Sequence, residues 1–362
     1  MRRVLIFANT HYQLILAIQM KFTLFDNQYV CLALSDHSNN ADIVYERLKR
    51  ADFFEECIFV RSKGFIHNRT KKEKILEFCQ IVGCKTNRYI QYLKDLSSMD
   101  FDEVLFYNLE IDIYGVYSIL STHNKKLKFS SYEEGILSYD NIYYDSFKYK
   151  SIRIMRKLMG RPVITDHYDT FYCVYPEMYH GHFNTCKIPS VSTTNEKLKN
   201  LLSFIFDLSK DIDYEKYKYI YFESIYDTEG RSIGEMEFFL NFIKKVGKEN
   251  VLVKKHPRSE NCFFEENNIA VDKNSGAPFE AIQLNNDMSK CIFVAATSGS
   301  VLSINSIVDE PSKVYMFYPL TRYSEIKSLE RFVNHVETVI SEFKMKGKLA
   351  HIQIICSLDE LL

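Results

Sequence analysis

The stretch Asn250-Val251-Leu252-Val253-Lys254-Lys255-His256-Pro257 runs from an apolar strand-like segment (Asn250 to Val253) into two lysines, a histidine and a proline. A short apolar run rich in β-branched residues reads as a strand buried on both faces, the kind that parallel sheets contain. The proline ends it. In an open α/β sheet, ligands bind just beyond the carboxyl ends of the strands. Two cations and an imidazole at such a point suit an anionic leaving group such as a nucleotide phosphate. A solvated turn after a strand would have the same composition. The rest of the chain shifts the balance towards the first reading.

Outward from this stretch, strand-like runs alternate with helix-length segments. In the first half Val4–Ala8, Tyr29–Leu34, Glu56–Val60, Val104–Tyr107 and Lys126–Ser130 read as strands. Tyr12–Phe25, Ala41–Ala51, Lys71–Val82, Asn87–Leu96 and Ile113–Ser121 read as helices. In the second half Tyr217–Phe222, Ile269–Val271, Cys291–Ala295, Lys313–Phe317 and His351–Ile355 join the strand ending at Val253. Gly234–Val246, Pro278–Leu284, Val301–Ile307 and Leu329–Met345 are the helices between them. This alternation predicts parallel sheets with helices on both faces, an α/β class.

Proline usage marks a boundary: none occurs in the first 161 residues, and all seven lie from Pro162 onward. Cys186 to Asn195 is polar and irregular and reads as a linker. It separates an N-terminal Rossmann-like domain, residues 1–185, from a C-terminal one, residues 190–362. Residues 136–185 are rich in tyrosine and histidine with weak periodicity, and read as the end of the first domain plus a segment lining a cleft. Two such domains facing each other across a cleft is the GT-B architecture, although pattern alone does not separate it from other two-domain α/β folds.

Composition limits the function classes. At 362 residues the chain has room for two domains. A net charge of −1 argues against a general nucleic-acid binder. Nine cysteines, an odd number with no CxxC pair, argue against a disulfide framework and for a reducing cytoplasm. The apolar run after Arg2-Arg3 is too short for a signal peptide, and no run of about 18 apolar residues predicts a membrane span.

Several strand ends carry residues suited to chemistry. Glu133-Glu134-Gly135 follows the strand ending at Ser130. Like-charge proximity and partial burial raise one carboxyl's pKa, as a general base for an alcohol needs; a solvated turn is the alternative. Thr297-Ser298-Gly299-Ser300 lies between a strand and a helix, where hydroxyls and backbone N–H groups form an anion site or simply cap the helix. Glu280 opens another helix, where it either complements the dipole or accepts hydrogen bonds from ribose hydroxyls. Asp227, after the first strand of the second domain, is a second candidate base or a helix cap. Asn9, His11 and Gln13 follow the first strand as candidate acceptor-site groups, with an N-cap role for Asn9 or Thr10 as the alternative. Asp100-Phe101-Asp102 and Asp211-Ile212-Asp213 precede strands, the wrong edge for a cleft metal, so no metal is expected. Neither a P-loop nor a GxGxxG fingerprint occurs.

Glu133-Glu134-Gly135, His256-Pro257 and the Thr297–Ser300 stretch, in this order, resemble the acid-acid-glycine, His-Pro and Ser/Thr motifs of bacterial sialyltransferases. Spacing and length look most like glycosyltransferase family 52, the lipooligosaccharide sialyltransferases, whose members include capsule enzymes. Asn9-Thr10-His11-Tyr12-Gln13-Leu14 is similar in style to that family's start. The resemblance implies a GT-B fold, a CMP-sialic acid donor, inversion at the anomeric carbon, no metal and no other cofactor. It implies that Glu133 or Glu134 deprotonates the hydroxyl of a glycan acceptor, a terminal galactose-type sugar of a capsular polysaccharide or lipooligosaccharide. It places His256 and Lys254 at the departing phosphate beside Pro257, Glu280 on the ribose, and Ser298 and Ser300 on the phosphate. In some relatives the base is an acid early in the second domain, which points here to Asp227. Thr-Ser-Gly-Ser departs from the family's plain Ser-Ser, so the matching pair stays open. A same-family enzyme with another donor such as glucose, a GT-B epimerase or hydrolase, and a glycan-binding protein are the rival readings. A cytoplasmic enzyme with peripheral contact to the inner face of the membrane is expected, with Phe343–Lys348 as the basic contact, and a homodimer is compatible with it.

Overall fold

The structure is a computed structural model that describes residues 1–61, 70–72, 75, 78–79, 82, 99–107, 113, 116–117, 120–121, 124–139, 147–226 and 230–361. It divides into two units. One comprises Met1–Glu134 and Ser138–Pro189, the other Gly135–Leu137 and Ser190–Leu362.

The first unit is built on seven parallel strands: β1 (Arg3–Ala8), β2 (Tyr29–Ser35), β3 (Glu56–Val60), β4 (Glu103–Phe106), β5 (Lys128–Tyr132), β6 (Tyr168–Cys173) and β7 (Asn184–Lys187). Their order is β3-β2-β1-β4-β5-β6-β7. Val4, Leu5, Ile6 and Ala8 of β1 are fully buried, on both faces of the strand, as a continuous apolar run in a parallel sheet requires. The helix His11–Thr23 that follows is buried at every position from Tyr12 to Lys21, which is why its sequence shows little amphipathic contrast.

The second unit has six parallel strands: β8 (Tyr219–Phe222), β9 (Val251–Lys254), β10 (Ala270–Val271), β11 (Ile292–Ala295), β12 (Lys313–Met316) and β13 (Ile352–Ile354). The order β10-β9-β8-β11-β12-β13 is the doubly wound pattern of a dinucleotide-binding domain. The helix Glu235–Val246 packs on it through Phe238, Phe239 and Phe242, which join Tyr219, Tyr221 and Phe317 in an aromatic core. In each sheet the winding direction reverses beside the first strand, between β1 and β4 and between β8 and β11. Such a switch point opens a crevice at the carboxyl edge, because the two connecting segments leave on opposite faces.

The strands read from the sequence recur with ends shifted by one or two residues. The last one expected in the first half, Lys126–Ser130, forms as Lys128–Tyr132 because a turn occupies residues 125–126. The weakly periodic 136–185 region, expected to be the end of the first domain plus a lining segment, contains the helix Phe147–Leu158, β6 and the first half of β7. β7 takes in Cys186 and Lys187, which the sequence reading assigned to a linker. It is a sheet-edge strand of sequence Asn-Thr-Cys-Lys with no buried residue, so it carries no apolar signature. The expected helix Asn87–Leu96 lies outside the described residues, as do parts of Lys71–Val82 and Ile113–Ser121.

Candidate active site

In the second unit the candidate residues gather at the carboxyl ends of β8, β9 and β11, around the switch point. β9 ends at Lys254, which is 6 % exposed. Its ammonium donates to the carbonyls of Ser275 (2.5 Å) and Ala277 (3.0 Å), tying down the loop that leads into the helix Phe279–Asn285. Burial pulls its pKa down to about 8, against the opposing pull of Asp272 and Glu280. Glu280, in the first turn of that helix, is buried as well, and burial pushes its carboxyl up to about 7. Lys255 is held too: Nζ donates to the Asn261 carbonyl and pairs with Glu265 at 3.0 Å.

His256 is fixed by a residue the sequence reading did not single out. Glu223, directly after β8, accepts the His256 backbone N–H at 2.9 Å and the Ser259 hydroxyl at 2.8 Å. It is 5 % exposed, and burial raises its pKa. The His256 Nδ1 accepts the Arg258 amide at 3.1 Å. An accepting Nδ1 puts the proton of the neutral ring on Nε2, so that edge is the donor edge. Glu235, in the first turn of the helix Glu235–Val246, braces the other side of the crevice. It accepts the Tyr221 hydroxyl at 2.8 Å, the Ser224 amide at 2.9 Å and the Ser224 hydroxyl. The available signal for both acids was position, one directly after a strand and one in the first turn of a helix.

After β11 the chain passes through Ala296 and Thr297 into the helix Ser300–Ile307. The N-cap is Gly299, which has no side chain to cap the helix, so neither Ser298 nor Ser300 holds the cap position expected of it. The Thr297 hydroxyl is buried and has no hydrogen-bond partner among the described residues. A helix start whose first N–H groups have no intrahelical acceptor, flanked by hydroxyls, is an anion site in chemical terms. Asp227 lies outside the described residues.

In the first unit Glu133 and Glu134 follow β5 but are not equivalent. Glu133 is 1 % exposed. Its carboxylate accepts the Tyr12 hydroxyl at 2.7 Å, the Val174 amide at 2.8 Å and the Tyr139 hydroxyl. Burial raises its pKa, with these donors pulling the other way. The three donors come from the helix after β1, the end of β6 and a short helical turn, so Glu133 is a structural hub. Glu134 is half-buried, its backbone N–H donating to Ser138 Oγ at 3.0 Å. Gly135 follows with a φ of 86°, a turn that a residue with a β-carbon adopts at a cost.

Past β1, Thr10 is the N-cap: its hydroxyl accepts the Gln13 amide, and the Gln13 side chain accepts the N–H groups of Asn9 (2.6 Å) and Thr10 (3.2 Å). Gln13 is 1 % exposed, so it belongs to the cap and not to an open surface; Asn9 and His11 stay half-buried at the same strand end. Asp102 lies on the opposite edge of the sheet, where its carboxylate accepts the Arg3 amide at 2.8 Å.

Several solved structures are similar to this chain in fold. An alpha/beta-galactoside alpha-2,3-sialyltransferase from the luminous marine bacterium Photobacterium phosphoreum aligns over 99 % of this chain and 99 % of its own, with 13 % identity and a TM-score of 0.51. MurG from Acinetobacter baumannii aligns over 100 % and 89 %, with 10 % identity and a TM-score of 0.43. The spinosyn rhamnosyltransferase SpnG aligns over 94 % and 92 %, with 9 % identity and a TM-score of 0.48. The protein is a glycosyltransferase of the GT-B fold, as the first of these alignments shows for the fold. No curated protein has a sequence that matches this one. A family model described as alpha-2,8-polysialyltransferase matches residues 4–316, and the chain belongs to that family. The resemblance to bacterial sialyltransferases is thus borne out, carried by the polysialyltransferase family where motif spacing pointed to family 52.

Proposed function

We propose that this protein transfers sialic acid from CMP-sialic acid to a glycan of the bacterial surface, with inversion and without a metal. The observation that carries the reading is the cluster at one switch point, His256, Glu280 and Thr297 to Ser300, in a chain of a sialyltransferase family. A donor with one phosphodiester charge needs less neutralisation than a nucleoside diphosphate. The His256 Nε2–H and the open N–H groups of the helix Ser300–Ile307 can meet that charge. Glu280 takes the ribose hydroxyls. Lys254 acts through the loop it holds, since its ammonium already lies on two carbonyls. Glu134 is the general base that takes the acceptor proton, because Glu133 is fully engaged by its three donors. Asp227 remains the rival base.

Two acceptors fit. A terminal galactose-type sugar of a capsular polysaccharide or lipooligosaccharide follows from the motif resemblance. A chain that already ends in sialic acid is favoured by the name of the matched family. Incubation with CMP-sialic acid in EDTA, with lactose or with sialyllactose as acceptor, distinguishes them. Acceptor-dependent sialylated product supports the reading. If CMP-sialic acid neither reacts nor raises thermal stability, the donor assignment fails.

A further inference from the structure

The helix Phe147–Leu158 and the turn after it carry a surface apart from the candidate site residues described above. Phe147 is 87 % exposed, Leu158 83 %, Ile154 56 %, Met159 52 % and Met155 40 %. Single exposed apolar side chains are ordinary, but five in one short segment are not. At about 100° per residue, Phe147, Ile154 and Leu158 fall within an arc of about 40°. Ile152 and Arg156 occupy the opposite side and are fully buried, with Arg156 Nε donating to the Pro162 carbonyl at 2.7 Å. The helix is therefore seated by one face and presents an apolar stripe outward on the other.

The flank of that stripe is cationic. Residues 147–161 contain six Lys and Arg and no Asp or Glu, in a chain whose net charge is −1. Lys150, Arg153, Lys157 and Arg161 are exposed. Lys157 pairs with Asp166 at 3.2 Å, with both side chains about half exposed, and such a pair is easily exchanged.

We propose that this helix is a docking surface for an anionic lipid bilayer, lying in the plane of the headgroups with Phe147, Ile154 and Leu158 inserted. A segment with an apolar stripe and a basic flank binds such an interface through both properties together. Twelve residues of helix are about 18 Å long, short of the roughly 30 Å hydrocarbon core, so the segment lies on a membrane and does not span it. Among the described residues, no helix is long and apolar enough to cross a membrane. The alternatives fit less well. A second copy would bring the same positive charge against itself. A soluble polyanion would match the basic residues and leave the apolar stripe in water. The Phe343–Lys348 stretch is a weaker candidate, since Phe343 is 1 % exposed and packed in the core.

The test uses the full chain with vesicles of phosphatidylcholine containing about one third phosphatidylglycerol, and with pure phosphatidylcholine vesicles. Sedimentation should show binding to the anionic vesicles only. Ile154→Glu/Leu158→Glu should lower the partition coefficient by about tenfold or more, and so should Lys150→Gln/Arg153→Gln/Lys157→Gln. Both variants should keep the wild-type melting temperature and turnover on a soluble acceptor, because every altered side chain is exposed. Absence of wild-type binding to the anionic vesicles overturns the proposal. So does binding that the glutamate pair leaves unchanged; retention on immobilised heparin, lost only in the glutamine triple variant, would then identify a polyanion surface.

Discussion

The end of β5 in the first unit and the end of β9 in the second share one device. Each strand runs into a pair of identical charged residues, Glu133-Glu134 and Lys254-Lys255, and in each the first member turns inward. Glu133 collects two tyrosine hydroxyls and an amide; Lys254 donates to two carbonyls. Both are buried, and both have pKa values displaced by burial towards the neutral form. The residue offered for chemistry comes next in the first unit, Glu134, and two positions later in the second, His256. The difference teaches how each loop is held. The acid loop turns through one glycine, whereas the His-Pro loop needs a second acid, Glu223, to clamp the His256 amide. A charged residue beside a candidate catalytic group is therefore not a second catalyst by default, but what fixes the first.

The largest expected effect would break this division of labour. Glu134→Gln and His256→Asn should each lower kcat by about 10²–10⁴-fold while the melting temperature stays that of the wild type. If Glu134→Gln keeps full turnover, the base lies elsewhere, and Asp227→Asn is the variant to measure next. Next in size are the inward residues. Glu133→Gln and Lys254→Met should each cost about 1–3 kcal/mol in denaturant unfolding, because buried donors or carbonyls lose their partners. A Glu133→Gln protein with wild-type stability would remove the distinction between the two glutamates.

The Lys254–Glu280 pair gives a pH signature. Glu280 holds its proton up to about pH 7 in the folded chain, against 4.5 for an ordinary glutamate. Between about 4.5 and 7 the unfolded chain has lost this proton and the folded chain has not, so this group makes stability fall with rising pH. Lys254 acts at the other end: its folded pKa of about 8 lies below 10.5, so its share of stability rises with pH between about 8 and 10.5. Glu280→Gln should remove the acid-side slope in a series of thermal melts. If Glu280 accepts ribose hydroxyls as a carboxylate, donor binding must expel its proton. Affinity measured by calorimetry should then strengthen by up to about tenfold per pH unit below 7 and level off above it. The smallest effect belongs to Thr297. Thr297→Val removes a buried hydroxyl that has no partner among the described residues, and should stabilise the unliganded protein by about 1 kcal/mol while weakening donor binding. A loss of stability would show that the hydroxyl is bonded in the unliganded state.

The alternation of apolar runs with helical spacing dictated two parallel sheets, because a parallel strand buried on both faces is continuous and a crossover helix is periodic. The strand ends expected at Val253 and Ala295 therefore located His256 and Thr297 to Ser300 without any knowledge of contacts, and β9 and β11 end at Lys254 and Ala295. What sequence left out has an equally physical cause. β7 is a polar edge strand whose backbone bonds to β6 alone define it, and no side-chain pattern records them. The helix Phe147–Leu158 turns its apolar stripe outward and buries the charged Arg156 on the other side, so its pattern does not mark a core-facing helix. Above all, adjacent residues of one type, Glu133 with Glu134 and Lys254 with Lys255, are identical in sequence, and the same letter stands for an inward hub or an outward acid. Which is which depends on Tyr12, Tyr139, Val174, Ser275 and Ala277, drawn from as many as 121 residues away, and only the tertiary structure brings those donors and acceptors to one place.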